Sequence, residues 1–231
     1  MDVSNLGLID FHAAYAIQER LVAQVASGEA PETLLLLEHP PVYTIGSGGS
    51  EANVLDPAIS VVRTNRGGDV TWHGPGQLVG YPVIDLGRRG RDLHRYLRFL
   101  EELSIRVAGE FGVAARRVPG KTGIWTDRGK LASIGVGVRR WVAMHGFALN
   151  VAPDLEPFAR INPCGMAGCP VTSLAREADA EPTVAEVAAR VECLFPHLLN
   201  ELLPCETETE GGRHVCCRLQ VARGKAPLDV R

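Results

Sequence analysis

The chain has 231 residues, 45% of them hydrophobic, with a formal net charge of −3 and an isoelectric point near 6.2. That is enough for a sizeable core and simplest as one domain. The charge leaves no basic excess for nucleic acid or an anionic membrane, and no apolar run of about 18 residues offers a membrane span. The start, MDVSNLGLIDFHAAY, lacks the basic, apolar and small-residue order of a secretory signal. All six cysteines lie in the C-terminal third (Cys164, Cys169, Cys193, Cys205, Cys216 and Cys217). In a chain of this size they read as reduced thiols of a cytoplasmic enzyme.

The first predicted helix covers about residues 10 to 26, with Phe11, Ala14, Tyr15, Leu21, Val22 and Val25 on one face and Gly28 past its end. Thr33 to His39 is a short apolar run bounded by prolines, the pattern of a buried strand. Ser60 to Thr64 and Leu78 to Ile84 read the same way. A second helix, about Asp92 to Phe111, repeats Leu93, Tyr96, Leu97, Leu100, Leu103 and Val107 at helical spacing. From Arg117 to Val151, three strand-like runs are separated by Asp127-Arg128-Gly129 and Arg139-Arg140, which predicts a meander. The last helix starts at Thr183, where Glu186 completes a capping box, and Pro196 is expected to end or kink it. Beyond about residue 204 the tail is polar and is left unassigned. The pattern is α+β.

Three stretches mix glycine with reactive side chains. Arg66 to Tyr81, RGGDVTWHGPGQLVGY, places glycines on both sides of Thr71-Trp72-His73. Glycine permits close approach of main chain to a ligand, and loop N–H groups can bind a carbonyl oxygen or an anion; two ordinary turns around a short strand would look the same. The stretch is neither a phosphate loop nor a Gly-x-Gly-x-x-Gly fingerprint. In RGKLASIG, Lys130 opens a strand of small or apolar residues; it is either a solvated turn residue or, pointed inward, a fixed cation. In INPCGMAGCP, Cys164 lies between proline and glycine, a sharply bent setting. A free thiol is only roughly 3% thiolate at neutral pH, and a neighbouring ammonium raises that share. A buried structural cysteine is the other reading. Cys169 is a weaker candidate for the same role.

No cysteine pair has clear zinc-ligand spacing, since Cys164 and Cys169 lack a partner pair and the adjacent Cys216-Cys217 with His214 suit one tetrahedral site poorly. No metal is expected. Among the histidines, His39, His73 and His145 sit beside proline or glycine and can hydrogen-bond or move protons. His94 and His197 fall on helices as surface or core residues.

Together these stretches resemble the octanoyltransferases of lipoate biosynthesis. The resemblance is carried by Arg66-Gly67-Gly68-x-x-Thr71-Trp72-His73-x-x-Gly76-Gln77 through Tyr81, and by Gly129-Lys130-Leu131-Ala132-Ser133-Ile134-Gly135. It continues in His145-Gly146-Phe147-Ala148-Leu149-Asn150 and Ile161-Asn162-Pro163-Cys164-Gly165. Four such motifs in order are highly specific. The resemblance implies a mixed β-sheet with packed helices, similar to the catalytic domain of biotin and lipoate protein ligases. It implies a cysteine–lysine pair, Cys164 and Lys130. It also implies an acyl pocket built from Arg66, Gly67, Gly68, Asp69, Val70, Thr71, Trp72 and His73, with Ser133, Ile134 and Gly135, and Gly146, Phe147 and Ala148.

The implied donor is octanoyl-acyl carrier protein. The implied acceptors are the lipoyl domains of 2-oxoacid dehydrogenase complexes and the glycine cleavage H protein. No cofactor is expected, because a thioester is already an activated acyl donor, and a monomer is the default. Trp72, Tyr81 and Phe147 are the expected walls of the acyl slot, and N–H groups near Cys164 or in the glycine loop are expected to hold the oxyanion. Three other readings stay open: an ATP-dependent ligase of the same fold, a non-catalytic binder of carrier or lipoyl domains, and a redox or metal role for the cysteine-rich end.

Overall fold

A computed structural model describes residues 1–206. The chain builds β1 (Asp2–Leu8), α1 (Phe11–Ser27), β2 (Thr33–Glu38), β3 (Val42–Ile45), β4 (Val61–Arg63), β5 (Thr71–His73) and β6 (Gln77–Val83). It continues with α2 (Leu93–Glu110), β7 (Arg116–Val118), β8 (Lys121–Trp125), β9 (Lys130–Arg139), β10 (Val142–Asn150), α3 (Leu174–Glu177) and α4 (Val184–Leu202). The large sheet has the order β1-β2-β6-β10-β9-β8-β7, and a small one the order β4-β3-β5. Each holds one parallel pair, β1 with β2 and β3 with β4, among antiparallel ones. The architecture is therefore α+β with mixed sheets.

The continuous apolar run of β2 follows from burial on both faces. Leu34 and Leu36 join the core beneath α2 and α4, whereas Leu35 and Leu37 join the one beneath α1. Two helix ends read from sequence, Gly28 after α1 and the Thr183–Glu186 box on α4, are present, and Asp10 and Asp92 add caps that were not singled out there. Asp10 accepts from the N–H groups of His12 and Ala13 at 2.9 and 3.1 Å, and Gly28 closes α1 in the left-handed conformation. Asp92 caps α2, and Thr183 with Glu186 forms the expected box on α4.

Three expectations are corrected. Ser60 to Thr64 is not a fully buried strand: only Val61–Arg63 pairs, on the edge of the small sheet, and Arg63 is exposed. Pro196 does not end α4, which continues to Leu202. Phe195, Leu198 and Leu199, all buried in the large core, hold the turns on both sides of it. The β9–β10 hairpin turns on Arg140-Trp141, both at positive φ, one residue later than expected. Cys216, Cys217 and His214 lie outside the described residues.

Candidate active site

Cys164 and Lys130, 34 residues apart, meet with Nζ 2.6 Å from Sγ. Each is delivered by a different local device. Lys130 is the first residue of β9 and is buried, 2% exposed. Its N–H donates to the Pro170 carbonyl at 2.8 Å and its carbonyl accepts from Thr172 at 3.0 Å, which stitches the segment following Cys164 to the strand bearing the lysine. Gly129 makes that approach possible: its φ is +154°, and a Cβ there would stand 2.6 Å from the Pro170 oxygen. The ring of Trp125, opposite Lys130 on β8, lies 5.3 Å from Nζ, a favourable seat for a cation.

Cys164 sits in a 3-10 turn, Pro163–Gly165, at φ 56° and ψ 30°. For a non-glycine residue this left-handed conformation costs about 1 kcal/mol or more. The cost is carried by surrounding bonds: the Cys164 N–H donates to the Val70 carbonyl at 3.2 Å and that of Gly165 to Asn162 at 3.0 Å. Cys169 is half-buried, and burial pushes its thiol up, with Lys130 partly opposing. That makes it the poorer nucleophile.

The thiol opens into a cavity of about 470 Å³, part of it open to solvent, under α1 and between the glycine loop and β9–β10. Arg66, Gly68, Asp69, Thr71 and His73 border it from the glycine loop and β5. Ser133, Ile134 and Gly135 border it from β9, and Gly146, Phe147 and Ala148 from β10. Gly135 lets the layers touch, since a Cβ there would stand 2.9 Å from the Gly67 carbonyl and 3.2 Å from Arg66 Cδ.

Three anticipated residues do not border the cavity. β5 alternates, so Thr71 and His73 face inward while Trp72 points the other way, edge-on to Phe158 at 5.5 Å within a small separate core. Val70 joins that core and serves the site through its carbonyl, and Gly67 serves through its main chain. Phe147 borders the cavity, but its side chain packs in the core beneath α2. Tyr81 is a wall, as expected, and so are Phe11 and His145.

The polar lining is largely neutral and tightly held. His39 donates from Nδ1 to the Ile9 carbonyl at 2.8 Å and accepts at Nε2 from the Tyr81 hydroxyl at 2.8 Å. Burial lowers its imidazole and raises the phenol of Tyr81. His73 binds Gln77 Oε1 through Nδ1 at 2.7 Å, and His145 binds Asn65 Oδ1 through Nε2 at 2.7 Å. Burial pushes each of these two imidazoles down to about 3. His145 is itself at φ 56°, and its N–H is taken by Gln18 Oε1 of α1 at 2.7 Å.

Arg66 is a second buried cation of the site, 8% exposed. It donates from one terminal nitrogen to the carbonyl and hydroxyl of Thr44, both at 2.9 Å, and from the other to Gly67 at 3.1 Å. No carboxylate pairs with it among the described residues. Thr71 Oγ1 is buried and finds no hydrogen-bond partner among the described residues, an arrangement normally reserved for a ligand or water. The N–H groups of Cys164, Gly165, Met166 and Gly67 already donate to carbonyls. Of the main-chain donors expected for an oxyanion, those of Gly68 and Asp69 in the glycine loop make no such bond among the described residues, and they border the cavity beside the Thr71 and Arg66 side chains. Thr44, Asn65, Gln18 and Phe11 were not singled out in the sequence, because nothing local marks them. Among the described residues no cluster of three or more His, Cys, Asp or Glu side chains is disposed to hold a metal, and no helix is long and apolar enough to cross a membrane.

Residues 10–196 match the family described as the lipoyl protein ligase A/B catalytic domain. A protein of Geotalea uraniireducens named octanoyltransferase is 70% identical over 204 residues, covering 88% of this chain and 95% of that protein. One of Geobacter metallireducens with the same name is 69% identical, covering 88% and 96%. Among solved structures, lipoate-protein ligase A bound with ATP is similar in fold, with a TM-score of 0.71 at 18% identity, covering 86% of this chain and 85% of that one. The biotin protein ligase of Aquifex aeolicus gives a TM-score of 0.53 at 11% identity, covering 87% and 70%. With its cysteine–lysine pair and Cys164 in the wall of the cavity, the chain belongs to the octanoyltransferases of the lipoyl protein ligase A/B catalytic-domain family.

Proposed function

We propose that the chain moves an octanoyl group from an acyl-carrier-protein thioester onto the lysine amine of a lipoyl-accepting domain, through a thioester on Cys164. The observation carrying this reading is the 2.6 Å contact between Lys130 Nζ and the Sγ of Cys164, the residue that borders the cavity. The Cys164 thiolate attacks the donor carbonyl. As the tetrahedral intermediate collapses, the carbon–sulfur bond to the carrier breaks and Lys130 gives a proton to the departing thiolate. The acceptor amine then attacks the Cys164 thioester, Lys130 takes a proton from it, and Cys164 leaves as the thiolate. Atoms and charge balance with no oxidant and no nucleotide, because a thioester lies above an amide in energy.

Thr71 Oγ1, unpartnered among the described residues, and the Arg66 guanidinium border the cavity with Cys164 and are the donors this reading assigns to the oxyanion in both halves of the reaction. A preorganised donor of this kind contributes roughly 3 kcal/mol. Thr71→Val is expected to slow acyl-enzyme formation about a hundredfold, while leaving the melting temperature unchanged or higher. The hydroxyl has no bond to lose, and valine suits a buried strand. A fall in stability with unchanged acylation rate would return Thr71 to a purely structural role.

The reading is tested by intact mass after mixing the chain with octanoyl-loaded carrier protein and no ATP. A gain of about 126 Da that is absent in Cys164→Ala is the expected result. Turnover of free octanoate with ATP, surviving Cys164→Ser, would assign the chain to acid activation instead. The fold alone does not separate the two, since its structural likenesses include ligases.

A further inference from the structure

We infer that Phe11 is the end wall of the acyl slot and the residue that sets acyl chain length, an inference that rests on the acyl-transfer reading above. Phe11 borders two spaces at once. One is the cavity containing Cys164, and the other is a neighbouring groove lined by His12, Tyr15, Val62, Arg63, Thr64 and Asn65. The ring is buried at 5% exposure and stands between them, stacked against Tyr15 at 6.3 Å and edge-on to His39 at 5.3 Å. Across from it, the hydrogen bond between His145 and Asn65 links a residue of the cavity to one of the groove.

The placement fits a ruler. Cys164 is held over the start of β9 by Lys130, and Phe11 over the end of β2 by His39. β6 and β10 lie between those strands and supply Tyr81, Gly146 and Ala148 to the floor. Three strand spacings amount to about 14 Å. A chain starting at Cys164 therefore runs across the sheet until it meets the Phe11 ring. The ring cannot swing far, because it belongs to the first residue of α1, whose first turn is fixed by the Asp10 cap.

Removing the ring joins the groove to the cavity, so additional methylenes gain a place to lie. Each buried methylene is worth roughly fourfold in binding, so two give about fifteenfold. The experiment is a competition: the full chain is mixed with equal amounts of hexanoyl-, octanoyl-, decanoyl- and dodecanoyl-carrier protein, and the acyl-enzymes are counted by intact mass. Because selectivity is a ratio within one sample, it is independent of the folded fraction. Phe11→Leu and Phe11→Ala are expected to raise the decanoyl-to-octanoyl ratio about tenfold or more over the parent chain, and Phe11→Trp to raise the hexanoyl-to-octanoyl ratio. Unchanged ratios in Phe11→Leu and Phe11→Trp, both still acylated on Cys164, would overturn the ruler while leaving acyl transfer intact. No adduct on the parent chain from any thioester would instead overturn the transfer reading itself.

Discussion

Lys130→Met is expected to slow acylation of Cys164 by a factor of 10² to 10⁴, the usual range for a lost acid–base group, without lowering the melting temperature. The two halves of this result follow from different observations. Nζ stands 2.6 Å from Sγ, so its removal takes away the group that handles the proton in both half-reactions. At 2% exposure, however, the amine is taken out of water, and no carboxylate pairs with it among the described residues. Its compensation is one sulfur and the Trp125 ring. A methionine of similar length keeps the packing and avoids the desolvation cost. A lysine present for stability alone would give the opposite pattern, a lower melting temperature with near-normal acylation. Lys130→Arg refines the test: it keeps the positive charge but cannot release a proton near neutral pH, so it should be as slow as methionine. Rapid acylation in the arginine variant would make the position electrostatic rather than acid–base.

The sequence carried the long elements well because their signals are local. α2 announces itself by its period and α4 by its capping box, and β2 by an unbroken apolar run that only a doubly covered strand tolerates. The small sheet was less legible. Val42–Ile45 follows two prolines and is four residues long, too short to show a period, and it is held by partners on both sides. Trp72 was expected at the cavity because the resemblance assigned the whole stretch to it, although a short strand was the other reading of Thr71–His73. Once the segment is a strand, alternation forces its middle residue away from the cavity that its neighbours face.

Likewise, no local pattern places Lys130 against Cys164. The pairing was supplied by resemblance, and its geometry depends on the Pro170–Thr172 stitch, which forms only when the chain returns to β9. Phe11 looks like any core-facing helix residue, and only the two spaces that it separates distinguish it. Thr44, Asn65 and Gln18 serve the site through bonds spanning 22, 80 and 127 residues. Such partners leave no trace in spacing.

The second large effect concerns acid. Burial drives the imidazoles of both His73 and His145 down to about 3, against about 6.5 in an unfolded chain. The surroundings agree: His73 faces His39, Gln77, Arg66 and His145, and His145 faces Arg66, Asn65 and two tyrosines, with no carboxylate in either set. Below pH 6.5 the unfolded chain binds these protons and the folded chain does not, so stability rises with pH and is lost as pH falls from about 6.5 towards 3. At pH 5 the loss is about 2 kcal/mol for each histidine and roughly 4 for the pair. His39, also lowered by burial, adds to it in the same direction.

Carboxylates do not share this window. Asp10, Asp56, Glu102 and Glu186 are held below their ordinary values, so their contribution is lost only below about pH 4.5. Urea unfolding at pH 7.5, 6 and 5 should therefore show a steep decline in exactly the interval where few other groups titrate. A flat profile there would mean that the imidazoles accept protons in the folded state despite their burial. Transfer activity in the surviving folded fraction should meanwhile be insensitive to these two histidines, because they stay neutral throughout and present the same tautomers to the acyl group at pH 5 as at pH 7.5.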